Sequence, residues 1–320
     1  MIYQAKMEIR SFLFMVKMSS KLIIVTALII SGCSTRSVKQ TAPVKTPIVI
    51  KEMDIQKPGD AKSEEPQNPT VPTQSNTQQF PQAVLLPKFG IILSGGGAKS
   101  WAHIGVLKEL QKLKWPISAV AGFEWGAVAA AIYAQNLSAN EVEWEMSKLK
   151  EFEKWDVFLK AAFAKKMTAD LKVPFVCPSL NIAKQSIFLL NRGQLDQLLP
   201  FCIASPSLIK PINQSVALMT DVAALAQHLR ATGATKILLV NVMAQGTKRS
   251  FIKDFESSDN ILWVESAAAM SKKPNGVDEV IDLKLDDYGI RDLDKRREII
   301  AKGSELSYNQ LKKLAEKFGL

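Results

Sequence analysis

A glycine triplet set between an apolar run and an amphipathic run constrains this chain more than any other stretch. Residues 90–126 read GIILSGGGAKSWAHIGVLKELQKLKWPISAVAGFEWG. The apolar run Phe89–Leu93 predicts a buried strand that enters Gly95–Gly97, and the spacing of Trp101–Leu113 predicts an amphipathic helix. A second apolar run, Ile117–Ala121, ends in a tight turn, Gly122-Phe123-Glu124-Trp125-Gly126, before the Ala-rich helix Ala127–Gln135. Strand, glycine turn, helix, strand, sharp turn, helix is the opening of a parallel α/β sheet.

Two parts of this stretch carry chemistry. Backbone N–H groups in a glycine loop at a helix start hold an anion, because no side chain blocks its approach and the helix dipole favours it. A tight strand-to-helix turn is where G-x-S-x-G hydrolases expose a nucleophilic serine. The residue at its centre here is Glu124, so the architecture is present without the nucleophile.

The order of SGGGAKSWAHIGVL and then a G-x-x-x-G turn resembles the patatin-like phospholipases over residues 88–320. That family has a G-G-G-x-[RK]-G oxyanion loop, a G-x-S-x-G elbow, and a later Asp-Gly turn that completes a Ser–Asp dyad. Gly95, Gly96, Gly97 and Lys99 match the loop, with Ser100 in place of its last glycine. Gly122 and Gly126 match the elbow, with Glu124 in place of the serine. By position the aspartate belongs near Pro211–Ser215, which reads PINQS, and no Asp-Gly dipeptide occurs anywhere in the chain. The resemblance implies a three-layer α/β/α fold with a mainly parallel central sheet, and an abandoned acyl-hydrolase site upon it.

The chain after the elbow fits that expectation. Residues 138–150 begin with Ser138 and Glu141, a capping-box pair. Residues 151–171 carry Phe152, Trp155, Phe158, Leu159, Phe163 and Met167, either as core or as a lipid-facing flap. Strands are predicted at Val173–Cys177, Ser186–Leu190, Lys236–Val242, Ile261–Glu265 and Glu279–Leu283, with a turn region over Pro178–Lys184. Helices are predicted at Gln194–Phe201, Asp221–Thr232 and 292–318.

Glu124 has three readings. Its carboxylate, comfortable at a helix start, fills the oxyanion loop itself, with Lys99 nearby; it is a tolerated replacement; or it is a general base or nucleophile. Ser94 and Ser100 have no recognisable base, and Ser100 is expected to help start the helix. Asp286 and Asp287 stand far from the position of the missing aspartate. GGGAKS ends like a nucleotide-binding loop, but Ala98 and Leu93 stand where that motif needs glycine. With His103 and His228 as the only histidines, no metal-ligand cluster forms, and no cofactor is expected.

The chain begins with a targeting pattern. Lys17 and Lys21 precede the apolar run Leu22–Ile30, which is too short to span a membrane, and Ser31-Gly32-Cys33 ends it as a lipobox does. Residues 1–33 are therefore expected to be a lipoprotein signal peptide, with translation beginning at Met1, Met15 or Met18 and lipid attached to Cys33. Ser34 after the cysteine is compatible with sorting to the outer membrane of a bacterial envelope. Residues 34–87 hold many Thr, Pro, Gln, Lys and Ser and few large apolar groups, as a flexible tether does. The patatin-like domain then occupies 88–320. A formal charge of +10 suits anionic headgroups better than nucleic acid in such a compartment. There Cys177 and Cys202 are free to be a disulfide or two buried thiols. The function expected is that of a membrane-anchored pseudoenzyme that binds a lipid, an acyl chain or a protein partner. The alternative is an active phospholipase, lysophospholipase or esterase with displaced catalytic residues.

Overall fold

Phe89–Leu93 (β1) is buried at all five positions, as a strand covered on both faces must be. In the computed structural model, residues 86–205, 208–217, 221–244, 261–270 and 272–320 are described. The leader, Cys33 and nearly all of the tether lie outside them. β1 pairs in parallel with Ile117–Gly122 (β2) on one side and with Lys236–Ala244 (β6) on the other. Phe175–Asn181 (β3) adds to β2 in parallel, and Glu279–Lys284 (β7) adds to β6 in parallel. Ser186–Leu190 (β4) and the two-residue Ser215–Val216 (β5) both pair antiparallel with β3. The order β4-β3-β2-β1-β6-β7 makes a mainly parallel sheet.

Helices cover both faces, which gives the three-layer α/β/α arrangement. Ala102–Lys112 (α1) links β1 to β2, and Glu124–Asn136 (α2) follows β2. Val222–Ala231 (α6) packs against β1, β2 and β6, as a right-handed return from β3 to β6 on the opposite face requires. Among the described residues no helix is long and apolar enough to cross a membrane.

Local chemistry sets the helix ends. Ser138 accepts a hydrogen bond from the Glu141 amide at 3.3 Å and caps Ala139–Met146 (α3). Asp221 does the same for α6 through the Ala224 amide at 3.0 Å. Each cap contributes about 1 kcal/mol. The long C-terminal helix Arg296–Phe318 (α8) lies along α1 at backbone distance. A Cβ on Gly105 would meet the Ile300 carbonyl oxygen at 2.2 Å, and one on Gly303 would meet that of Ala102 at 2.2 Å. No other residue type permits that approach. At its far end Phe318 meets the Phe89 ring edge-on at 5.2 Å, and Trp115 lies 4.4 Å from Phe89.

Two expectations are corrected. Ile261–Glu265 is not a strand but the first half of a helix, Ile261–Met270 (α7). Pro178 does not open a turn: β3 runs on to Asn181, with Pro178 opposite Leu189, and the turn shrinks to Ile182–Gln185. The aromatic segment 151–171 is mainly core, with Phe152, Phe158 and Phe163 buried; the last two lie on Trp155–Phe163 (α4), and Met167 is exposed. Cys177 on β3 and Cys202 on Leu195–Ile203 (α5) form a disulfide.

Candidate active site

In parallel register, Leu93 lies opposite both Gly122 and Val240, so three strands end at one edge of the sheet. The chain goes from β1 to β2 on one side, while β6 lies on the other. That reversal of order opens a crevice outside the carboxyl ends of the strands. The glycine loop leaves β1 there, and the elbow leaves β2 beside it. Ser94 ties the loop down: its amide donates to the Val240 carbonyl at 3.0 Å, and its hydroxyl accepts from the Val242 amide at 2.9 Å.

The elbow is a strained turn. Phe123 is extended, and its amide donates to the Leu93 carbonyl at 2.9 Å. Glu124 is then held at φ 51°, a left-handed conformation that costs a non-glycine residue about 1 kcal/mol. Gly126 is required by close approach, since a Cβ there would lie 2.3 Å from the Ser94 carbonyl oxygen.

The strain aims the Glu124 side chain at the loop. Oε2 accepts hydrogen bonds from the Gly96 and Gly97 amides at 3.0 and 2.9 Å. Oε1 accepts from the Ser205 hydroxyl at 3.1 Å. Glu124 and Ser205 are each 1% exposed. Burial pushes the Glu124 carboxyl from 4.5 up to about 7, against the amides of Trp125, Gly96 and Gly97 and the Ser205 hydroxyl, which all favour the charged form. Near neutral pH the group is divided between its protonation states. Oε2 takes two loop amides and Oε1 the Ser205 hydroxyl.

His103 lies beneath the loop on α1. Its Nε2 donates to the Ser94 carbonyl at 2.7 Å, while Nδ1 is buried without a partner among the described residues. Burial lowers the ring to about 4, with the Ser94 hydrogen bond opposing, so it is neutral at physiological pH. It reaches neither Glu124 nor Ser205 by a hydrogen bond and acts as a strut. Ser100 is also buried, but its hydroxyl has no hydrogen-bond partner among the described residues and caps no helix there, contrary to the expectation that it starts the helix. Lys99 is buried. Burial raises the Asp292 carboxyl, and the Gly289 amide, Lys295 and Lys99 together bring it below its usual value.

Trp125, next to Glu124, is fully buried in an aromatic cluster. Its ring lies 5.2 Å from Phe152, 6.0 Å from Trp101 and 6.1 Å from Phe158. The Pro211–Ser215 segment, where an aspartate was sought, is a tight turn: Ile212 and Ser215 bridge, and Asn213 and Gln214 have positive φ. The group that meets Glu124 comes instead from Ser205, just past α5. The Ser179 hydroxyl donates to the Phe201 carbonyl at 2.8 Å, the disulfide holds Cys202, and the Ala217 amide donates to the Ala204 carbonyl at 2.8 Å. Asp286 and Asp287 follow β7. No group of three potential ligands for a metal ion occurs among the described residues.

The arrangement offers two aligned amide donors, one carboxyl and one hydroxyl in a dry crevice. It can hold an anionic oxygen, or move a proton between Ser205 Oγ and Glu124 Oε1.

The sequence model of the family described as patatin-like phospholipase matches residues 91–254. An uncharacterised NTE family protein of Mycobacterium tuberculosis is 24% identical over 197 residues, 56% of this chain and 55% of its own length. The human patatin-like phospholipase domain-containing protein 6 is 39% identical over 62 residues, 18% of this chain and 4% of its own length. Lysophospholipase nte1 of Aspergillus fumigatus is 22% identical over 178 residues, 48% of this chain and 12% of its own. This chain thus spans about half the length of the mycobacterial relative and far less of the others.

Proposed function

Since this chain belongs to the patatin-like phospholipase family, we propose that it is an envelope lipoprotein whose acyl-hydrolase centre is closed by its own side chain. The observation that carries this reading is the seat of Glu124 Oε2, 3.0 and 2.9 Å from the Gly96 and Gly97 amides. Oxyanion donors act at about 2.7–3.1 Å from the oxygen they stabilise. A carboxylate oxygen already at that distance excludes a substrate oxygen from the same two donors. The elbow Gly122-x-Glu124-x-Gly126 is kept for shape, and Gly95–Gly97 with Lys99 receive Glu124 rather than a tetrahedral intermediate. The protein then binds a lipid, an acyl chain or a protein partner without hydrolysing it. A lysophospholipase among the relatives favours a lipid. Lipidation at Cys33 anchors it, through the 34–87 tether, to the outer membrane.

A second reading is favoured by the Ser205–Glu124 hydrogen bond of 3.1 Å. The family places its serine on the elbow and its acid on a later loop; here an acid stands on the elbow and meets a serine from a later loop. With the places exchanged, Ser205 is the nucleophile and Glu124 the base.

The test is hydrolysis of a short-chain phosphatidylcholine and of a p-nitrophenyl ester by the full chain, alongside Glu124→Ala and Ser205→Ala. No turnover above the uncatalysed rate is expected from any of the three. Turnover by the wild type that vanishes in both variants overturns the closed-centre reading and establishes the exchanged pair.

A further inference from the structure

A second feature lies outside the elbow. Between α3, the segment that follows it and the start of α8 is a cleft of about 450 Å³, with Trp101, Trp144, Lys150, Arg296 and Arg297 among its walls. Glu124, Ser205 and the loop amides are not part of it.

Its charge is one-sided. Lys150, Arg296 and Arg297 bring three cations to one opening. The one carboxylate in the wall, Glu143, is engaged by Lys108. Arg297 is exposed and makes no ion pair among the described residues. Arg296 donates to the Leu293 carbonyl at 3.2 Å and Lys150 to the Ser147 carbonyl at 2.7 Å, which leaves each cation further donors. Arg296 and Arg297 also form the first turn of α8, the end of the helix whose dipole favours an anion. The planar, multiply donating guanidinium matches a phosphate bidentately, and a phosphate has oxygens enough to meet three cations at once.

The walls also fit something attached to that phosphate. Trp144 is 64% exposed, the largest exposure of any described tryptophan, and it stands at the cleft. Trp101 forms buried wall, and its indole N–H has no partner among the described residues. A flat apolar ring beside a cationic recess suits a molecule with a phosphate at one end and an apolar or glycerol portion next to it.

We propose that this cleft is a binding site for a phosphate ester, with Arg296, Arg297 and Lys150 on the phosphate and Trp144 against the adjoining group. The site does not rest on the closed-centre reading, because its residues are separate from the elbow and its test measures binding alone. A phospholipid headgroup and a soluble phosphate ester share this chemistry.

The experiment is calorimetric titration of the full chain, at low salt, with glycerol 3-phosphate and separately with dihexanoyl phosphatidylglycerol below its micelle concentration. Saturable binding is expected for at least one probe. Arg296→Gln/Arg297→Gln should weaken it tenfold or more, and Lys150→Gln a few-fold. Both changes are at the surface, and unchanged thermal unfolding confirms that the variants fold. Binding of the lipid alone identifies a headgroup site, and equal binding of glycerol 3-phosphate identifies a soluble ester. If neither probe saturates, or if the charge variants bind as the wild type does, the proposal is wrong.

Discussion

Glu124 and Ser205 stand 81 positions apart in the chain, yet their side chains meet at 3.1 Å in the protein interior. The contact joins the elbow after β2 to the loop after α5, and it adds to the amides that favour the charged form of the buried Glu124 carboxyl.

The first consequence is a pH dependence with two opposed parts. The folded-state value of Glu124 is raised from 4.5 to about 7, so its contribution to stability is present below 4.5 and lost as pH rises through 7. The value of His103 is lowered from 6.5 to about 4, so its contribution is present above 6.5 and lost as pH falls through 4. Each shift corresponds to roughly 3 kcal/mol. Between pH 4.5 and 6.5 the two cancel. Glu124→Gln removes one of them, and urea unfolding of that variant should lose roughly 2 kcal/mol on going from pH 6.5 to 4.5, where the wild type changes little.

Ser205→Ala tests the contact itself. The hydroxyl favours the charged form of Glu124, so its removal should move the carboxyl further up. The alkaline loss of stability should then extend to higher pH than in the wild type. An unchanged stability profile across pH 5–9 would mean that the hydrogen bond does not form in solution.

Gly126→Ala is expected to be costly although it adds one methyl group. The new carbon would sit 2.3 Å from the Ser94 carbonyl oxygen and 2.6 Å from that of Leu93, and backbone has nowhere to retreat. A loss of about 3 kcal/mol is expected by chemical denaturation.

Reduction of the Cys177–Cys202 disulfide, which closes a loop with a sequence separation of 25, should lower stability by about 3 kcal/mol. Because Cys202 precedes Ser205 by three residues, the reduced protein should also show part of the pH-profile change of Ser205→Ala. Matching unfolding curves with and without dithiothreitol would argue against the bridge.

The parts of the fold legible in sequence were those with unbroken local signals. β1 and β4 end where their apolar runs end, and the glycines at 95–97, 122 and 126 mark the two turns of the crevice. Ile261–Glu265 misled because four large apolar residues in a row fit a buried strand as well as a helix. The Ser-Ala-Ala-Ala-Met that follows carries the helix on to Met270. Pro178 reads as a turn locally, but pairing with β4 keeps it in the strand. Ser205 had no signal at all. It is one serine in a short loop, and only the closing of β3, α5 and β5 around it brings it to Glu124. The disulfide was likewise one of two readings of Cys177 and Cys202 and was decided by tertiary contact.

The glycine crossing of α1 and α8 has a mechanical meaning. With Gly105 and Gly303 in backbone contact, no side chain lies between the two helices at that crossing to act as a bearing on which they could slide. α1 follows directly from Trp101, and α8 begins at Arg296, so two of the walls of the cationic cleft meet at one joint, with α3 as the third. Occupancy of the cleft therefore cannot be relayed as a shift of one helix along the other.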